Sequence, residues 1–133
     1  MGDGGHKNNK TIRHFTDLEV WKKSHNLAIK TYSLTAKFPK HEMFGITNQL
    51  RRAVTSISAN IAEGMGRSSY PDRTRFYYNA RGSIYETENF LIISKELNFI
   101  TSDDFNLAIE ILNTTRKLLN AFIAKTAEIG HLK

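Results

Sequence analysis

Apolar residues recur every three or four positions through most of the chain, which is the spacing of amphipathic α-helices. The pattern is cleanest between residues 46 and 61, where one predicted helix face consists of Ile46, Leu50, Ala53, Val54, Ile57 and Ile61. Similar periodicity over residues 16–37, 70–97 and 101–127 predicts three further helices. In the last of these, the seam alternates steps of three and four, as in helices packed at small crossing angles. No segment is predicted to be a strand.

Residues with known preferences at helix ends set the limits of the first two helices. Thr16 and Glu19 have the spacing of a capping box, in which side-chain oxygens accept hydrogen bonds from the free backbone N–H groups of a first turn. Pro39 ends helix 1 near residue 37, because it disfavours the α region for the residue before it. Gly64 and Gly66 follow helix 2 and are expected to adopt positive φ angles. The predicted inward residues of helix 1 are Leu18, Trp21, Ala28 and Tyr32, with Val20, Leu27 and Leu34 beside them.

The later helices carry similar signals. Pro71 suits a first helical turn, Asn98 suits a left-handed stop, and Thr101 with Asp104 repeats the capping arrangement before helix 4. Connections of only a few residues force neighbouring helices to run antiparallel. The sequence therefore predicts an all-α fold, an antiparallel up-down-up-down four-helix bundle of either handedness.

The length of 133 residues suits one domain. We assign the bundle to residues 14–127, a disordered arm rich in Gly and Asn to residues 1–13, and a frayed tail to residues 128–133. The longest apolar run is about four residues, whereas a membrane-spanning helix needs roughly 18, so no membrane insertion is expected. The absence of cysteine excludes disulfides, thiolate metal sites and a cysteine nucleophile, and it fits a cytoplasmic location.

None of the residue patterns that support catalysis or cofactor binding is complete. A di-metal carboxylate centre in a bundle needs Glu-x-x-His on two helices, and Glu128 with His131 is the one match. No predicted strand precedes Gly64 and Gly66 and no Lys-Ser/Thr pair follows them, so they do not indicate a phosphate-binding loop. His25 has no carboxylate partner at a catalytic spacing. We therefore predict no catalytic residue, no cofactor and no metal, and we expect that the protein is not an enzyme.

Arginine is unevenly distributed along the chain. Six of the eight arginines lie between residues 51 and 81 together with two acidic residues, so this segment contributes +4 to a formal net charge of +6. Tyr78, Arg81 and Tyr85 share a helix face, which predicts a guanidinium group between two rings. Such residues suit phosphate contact and base stacking, and they equally suit subunit interfaces. The candidate nucleic-acid-binding residues are Arg51, Arg52, Arg67, Arg73, Arg75, Arg81, Tyr78 and Tyr85.

Apolar residues also exceed what one bundle core requires. They cover about half the circumference of helix 4, whereas a core-facing stripe needs only about 100°. Excess apolar surface usually marks a partner, which predicts a closed homo-oligomer. Deeper burial of helix 4 within its own bundle would explain the same pattern. The candidate interface residues are Ile92, Ile93, Ile111 and Leu118.

Two stretches resemble a known family. They run from Phe15 to Lys22 and from Leu50 to Gly64, and the resemblance continues through residues 80–83. The chain is similar to bacterial four-helix-bundle proteins encoded in intervening sequences of large-subunit ribosomal RNA genes, which are often labelled ribosomal proteins. Ser58 departs from the pattern of that family, which favours proline at this position.

That family is similar to the accessory protein of diversity-generating retroelements, a basic bundle that forms a pentameric barrel and associates with nucleic acid and reverse transcriptase. The resemblance implies a homopentamer, binding of RNA or DNA, and a partner protein. Two hypotheses follow for the function. The first is a non-enzymatic oligomer that binds nucleic acid through an arginine-rich surface, and the second is a protein-binding scaffold without nucleic-acid contact.

Overall fold

Four α-helices make up most of residues 11–132, the part of the chain that the computed structural model describes. The helices are α1 Glu19–Thr35, α2 Asn48–Met65, α3 Tyr70–Glu96 and α4 Ser102–Leu132. A 3-10 turn at Phe15–Asp17 precedes α1, and a 3-10 turn at Lys40–Glu42 followed by a π-helical turn at Met43–Thr47 leads into α2. These residues contain no strand. Residues 1–10 of the predicted arm lie outside the described part.

The helices form a closed ring in chain order. Each helix packs on its neighbours in the chain, and α1 also packs on α4. Side-chain contacts give the direction of α3 and α4. Arg81 reaches Asn120, while Glu88, further along α3, reaches Arg116, which comes earlier on α4. The predicted all-α, up-down-up-down four-helix bundle is therefore confirmed.

Apolar residues from all four helices line the core along the bundle axis. The side chains with no exposed surface include Leu27, Leu50, Val54, Ile57, Ile61, Ile84, Leu91, Leu112 and Leu119. The whole predicted face of residues 46–61 is buried. On α1, the prediction for Tyr32 is wrong, because this ring is 43% exposed and Ser24, Thr31 and Thr35 take inward positions instead. A threonine can lie inward because its hydroxyl donates to its own helix, as Thr35 Oγ1 does to the Thr31 carbonyl at 2.9 Å.

The cap before α1 lies earlier in the chain than predicted. The capping box belongs to the 3-10 turn, where the Thr16 N–H donates to His14 Nδ1 at 3.3 Å. The Asp17 carboxylate accepts the backbone N–H groups of Arg13 and His14, each at 3.1 Å, and these bonds hold its pKa below the usual value. The predicted box with Glu19 does not form, because the residue that precedes α1 is a leucine and its side chain accepts no hydrogen bond.

The predicted signals between α3 and α4 are confirmed. Asn98 adopts a left-handed φ of 64° after α3. Thr101 Oγ1 accepts the N–H of Asp104 at 3.1 Å and so caps α4. At the other end of α3, Ser69 caps the helix by accepting the N–H of Asp72 at 3.2 Å. These side chains satisfy backbone groups that a helix end leaves free.

The end of α4 differs from the predicted frayed tail. Residues 128–132 continue the helix, which runs to Leu132. Gly130 lies against Tyr70 at the start of α3, where a Cβ on the glycine would be 2.7 Å from Tyr70 Cβ. The packing of α3 on α4 thus extends into the last turn of α4, which explains why that turn is helical.

Gly64 has a different role from the one predicted. No glycine with a positive φ occurs among residues 11–132, and Gly64 lies inside α2, while Gly66 ends the helix with helical angles. A Cβ on Gly64 would lie 2.5 Å from Tyr77 Cε1 and 3.1 Å from the carbonyl oxygen of Arg73. Glycine is therefore needed for the close approach of α2 and α3. Tyr77 is 1% exposed, and burial raises the pKa of its hydroxyl.

Replacement of Gly64 should test this close approach. We expect Gly64→Ala to lower the free energy of unfolding by about 1–3 kcal/mol, because the added methyl overlaps the Tyr77 ring. Gly66→Ala is the matched control, since a Cβ there would meet no atom closer than 3.5 Å. The control should change the free energy by less than about 0.5 kcal/mol. Urea denaturation followed by circular dichroism measures both, and equal stability of the two variants would contradict this role of Gly64.

Candidate nucleic-acid interface

Two candidate arginines near the α2–α3 connection pair with acidic residues at the same end of the bundle. Arg67 Nη2 lies 2.6 Å from Glu63 Oε2, and Arg75 Nη2 lies 2.8 Å from Asp72 Oδ1. Both guanidinium groups also lie over the Phe76 ring, 4.6 Å and 4.5 Å from its centroid. Part of the positive charge predicted for this segment is therefore compensated locally.

Arg73 links α3 to the residues of the α2–α3 connection. Its Nε donates to the carbonyl oxygen of Arg67 at 2.6 Å, and its guanidinium lies 5.0 Å from the centroid of the Tyr70 ring. The hydrogen bond joins α3 to the end of the connection that leaves α2. We therefore attribute to Arg73 a role in fixing the turn between the two helices.

Arg51 and Arg52 lie on the surface of α2, and neither has a carboxylate oxygen within 4.0 Å among residues 11–132. Arg51 Nε donates to Thr35 Oγ1 at 2.9 Å, and its guanidinium lies 4.6 Å from the centroid of the Tyr32 ring. This arginine thus bridges α2 to α1. Arg52 is exposed and borders a polar groove of about 490 Å³ between α2 and α3.

Two tyrosines on α3 each pair with a different arginine. Arg81 lies over Tyr78 at 4.8 Å, and its Nη1 donates to Asn120 on α4 at 3.1 Å. Tyr85 instead lies under Arg116 of α4, at 5.2 Å. The predicted single guanidinium between two rings is therefore wrong. Sequence reasoning missed Arg116, because only the antiparallel register of α3 and α4 brings it to Tyr85.

The bundle divides into a basic side and a near-neutral side. Residues 19–65 form α1, α2 and their connection, and they contain seven basic and three acidic residues, a net charge of +4. Residues 70–132 form α3 and α4, and they contain seven basic and eight acidic residues, a net charge of −1. The ring order places α1 and α2 opposite α3 and α4. The difference in net charge between the two halves of the chain thus becomes a difference between opposite sides of the bundle.

Lysines of α1 contribute as much to the basic side as the arginines of α2. The helix carries Lys22, Lys23 and Lys30, and Glu19 is its only acidic residue. The arginine-rich window of residues 51–81 did not include them, because it runs from the basic side into the near-neutral side. A count of all charged residues helix by helix was the signal that could have found them.

The interface candidates fall into two groups. Ile92 and Ile93 on α3 are 41% and 37% exposed. Ile111 and Leu118 on α4 are half-buried and pack against the core of their own chain. Burial within the bundle therefore accounts for Ile111 and Leu118, whereas residues 11–132 cover the two isoleucines of α3 to a smaller extent.

Three further findings bear on possible functions: the packing of His25, the capacity for metal binding and the capacity for membrane insertion. His25 stacks on Trp21, with 4.8 Å between ring centroids. Among residues 11–132, no group of three or more histidine, aspartate or glutamate side chains is placed to hold a metal ion. No helix in that part of the chain combines the length and the apolar character needed to cross a bilayer.

Comparison with known proteins connects this architecture to a family. Residues 16–121 match the family of 23S rRNA-intervening sequence proteins. A crystal structure of a protein of unknown function from the S23 ribosomal protein family, from Bacteroides thetaiotaomicron, is similar with a TM-score of 0.73 and 27% sequence identity. The match covers 78% of this chain and 97% of that chain. No curated protein sequence matches this chain.

Arg73 and Arg75, two residues apart on α3, should differ in their effect on stability. We expect Arg73→Ala to lower the free energy of unfolding by about 1 kcal/mol, because it removes the hydrogen bond to the Arg67 carbonyl. Arg75→Ala is the control and should cost less than about 0.5 kcal/mol, because its ion pair with Asp72 is solvent-exposed. Urea denaturation of both variants measures the difference. A larger loss for Arg75→Ala would contradict these roles.

Proposed function

The chain belongs to the 23S rRNA-intervening sequence protein family, and from this premise we propose that it is a non-enzymatic homo-oligomer that binds RNA or DNA phosphates through its α1–α2 side. The observation that carries the proposal is the division of charge, +4 over residues 19–65 against −1 over residues 70–132.

The side chains of the α1–α2 side suit contact with phosphates. Arg51 is held against Tyr32 and Thr35 through Nε and the face of its guanidinium, and its terminal nitrogens have no carboxylate partner within 4.0 Å in residues 11–132. Arg52 is exposed beside it, and Lys22 is exposed on α1. Such a surface gains affinity mainly from counterion release and reads little sequence.

Assembly would strengthen a weak contact. Each copy in a homo-oligomer repeats the same basic side, so several copies on one strand bind with a high effective concentration. The resemblance to pentameric relatives makes a pentamer the expected assembly. The near-neutral α3–α4 side is then free to contact another copy or a partner protein.

A protein-binding scaffold without nucleic-acid contact is the second candidate function. The observation in its favour is the half-exposed aromatic and apolar surface of α3, where Tyr78, Tyr85 and Ile92 are 48%, 56% and 41% exposed. Residues of this kind are common at protein interfaces. The two candidates differ in whether the basic side matters for binding of a polyanion.

Removal of lysines from one side at a time should separate the two candidates. We expect the triple variant Lys22→Ala, Lys23→Ala and Lys30→Ala to weaken binding to a single-stranded RNA oligonucleotide. The plot of log affinity against log salt concentration should flatten by about 0.7 for each lost phosphate contact. The control with Lys95→Ala, Lys117→Ala and Lys125→Ala removes the same charge from the α3–α4 side. It should change neither quantity much, and fluorescence anisotropy over a salt series measures both.

The outcomes are distinct. Equal weakening by the two triple variants would mean that net charge alone governs binding, and it would contradict the proposed side. No salt-sensitive binding of RNA or DNA by the unmodified protein at about 50 mM salt would exclude the nucleic-acid function and favour the scaffold.

A further inference from the structure

The solvent side of α3 carries a second regular seam besides the one that faces the core. Its members are spaced alternately four and three residues apart, and all of them are exposed: Tyr78, Gly82, Tyr85, Asn89, Ile92 and Glu96. We refer to these six residues as the outer seam. Alternate steps of four and three are the spacing by which one helix packs along another, and an asparagine within such a seam fixes the register of the pair. The pattern therefore fits a helix as the partner.

Gly82 within the outer seam makes no close contact among residues 11–132 that would require a glycine. A Cβ built on it would meet no atom within 4 Å, whereas Gly64 and Gly130 each lie directly against an aromatic side chain. Glycine destabilises a helix interior relative to alanine, and no close contact within the described part of the chain offsets that cost at Gly82. A small residue in an exposed seam permits a second helix to approach closely.

The two tyrosines of the outer seam are already held in place. Arg81 lies over Tyr78 and is bonded to Asn120, and Arg116 lies over Tyr85 and is bonded to Glu88 at 2.6 Å. Ordered rings lose less side-chain entropy when a partner covers them. Tyrosine and arginine are also the residue types that contribute most at protein interfaces.

The charge around the outer seam favours a second copy of this chain over a polyanion as the partner. A polyanion gains little at this seam, because Arg116 is paired with Glu88, Glu96 belongs to the seam, and residues 70–132 carry a net charge of −1. A near-neutral surface also lets identical copies approach with little repulsion, in contrast to the +4 of the α1–α2 side. On that basic side, the exposed Ile29 has one exposed ring beside it, Tyr32, and its other neighbours on the helix face are polar, so it forms no comparable seam.

We propose that the outer seam is the surface through which one copy of this chain binds a helix of a second copy. The inference rests on the homo-oligomer of the proposed function and names its contact. It places assembly on the α3–α4 side and leaves the α1–α2 side to the polyanion. It also assigns Tyr78 and Tyr85 to the subunit contact, where the sequence left open whether they stack on bases.

Two matched isoleucine variants test the contact. Ile92→Glu puts a charge into the outer seam, and Ile29→Glu makes the same change at a residue of α1 that is 60% exposed. We expect light scattering at tens of micromolar, a concentration suited to ordinary interfaces, to give an oligomer for the unmodified protein and for Ile29→Glu. Ile92→Glu should give the monomer mass with an unchanged helical circular dichroism spectrum.

Gly82→Lys tests whether the oligomer is lost in a variant that still folds. The protomer has open space at this position, and lysine favours a helix more than glycine does, so the variant should fold at least as well as the parent. It should nevertheless lose the oligomer, because the long side chain fills the place of the partner helix. Ser33→Lys, at an exposed position of α1, is its control and should retain the oligomer.

Each result supports or overturns the inference. Loss of the oligomer in Ile92→Glu and Gly82→Lys but in neither control supports it, even if no RNA binds, in which case only the nucleic-acid function fails. A monomeric parent, or seam variants that keep the parent mass, overturns it. Tyr85→Ala that weakens RNA binding while the mass is unchanged also overturns it, because the seam would then contact bases.

Discussion

The close packing of α2 on α3 is the contact on which the remaining architecture depends. Gly64 lets the Tyr77 ring and the backbone of α3 approach α2 more closely than any side chain would permit. Ser56 and Ser83, further along the same pair, are joined by a hydrogen bond of 2.9 Å between their hydroxyls. With this pair fixed, short connections leave α1 and α4 only the two outer positions that close the ring.

That ring order converts an uneven charge distribution into two chemically different sides. Charges that are neighbours in the chain between residues 51 and 81 separate onto different helices, while lysines of α1 join the arginines of α2. The basic side has few acidic residues to compensate it, so its field extends toward a polyanion. The opposite side has balanced charge and exposed rings, which suits contact between proteins. One small bundle thus presents two sides of different charge, which is the basis for the proposed separation of assembly from ligand binding.

Most arginines in this protein pack against aromatic rings as well as contributing positive charge. Five of the six candidate arginines, all except Arg52, lie over an aromatic ring, and so does Arg116. A guanidinium stacked on a ring is held in a defined position while its terminal nitrogens stay available for hydrogen bonds. The same arrangement fixes the α2–α3 connection through Arg73 and orders the tyrosines of the outer seam. A high local count of arginine therefore does not by itself locate a nucleic-acid site.

The sequence alone determined the number of helices, most of their limits and the core face of α2. Periodicity, an αL asparagine at residue 98 and a threonine cap at residue 101 act within a few residues, so no knowledge of distant contacts is needed. Tertiary structure decided everything that depends on which helices face each other. It placed Gly64 against Tyr77, brought Arg116 to Tyr85 and turned Tyr32 outward under Arg51. These pairings are set by the ring order and the antiparallel register, which are properties of the packed bundle and of no single segment.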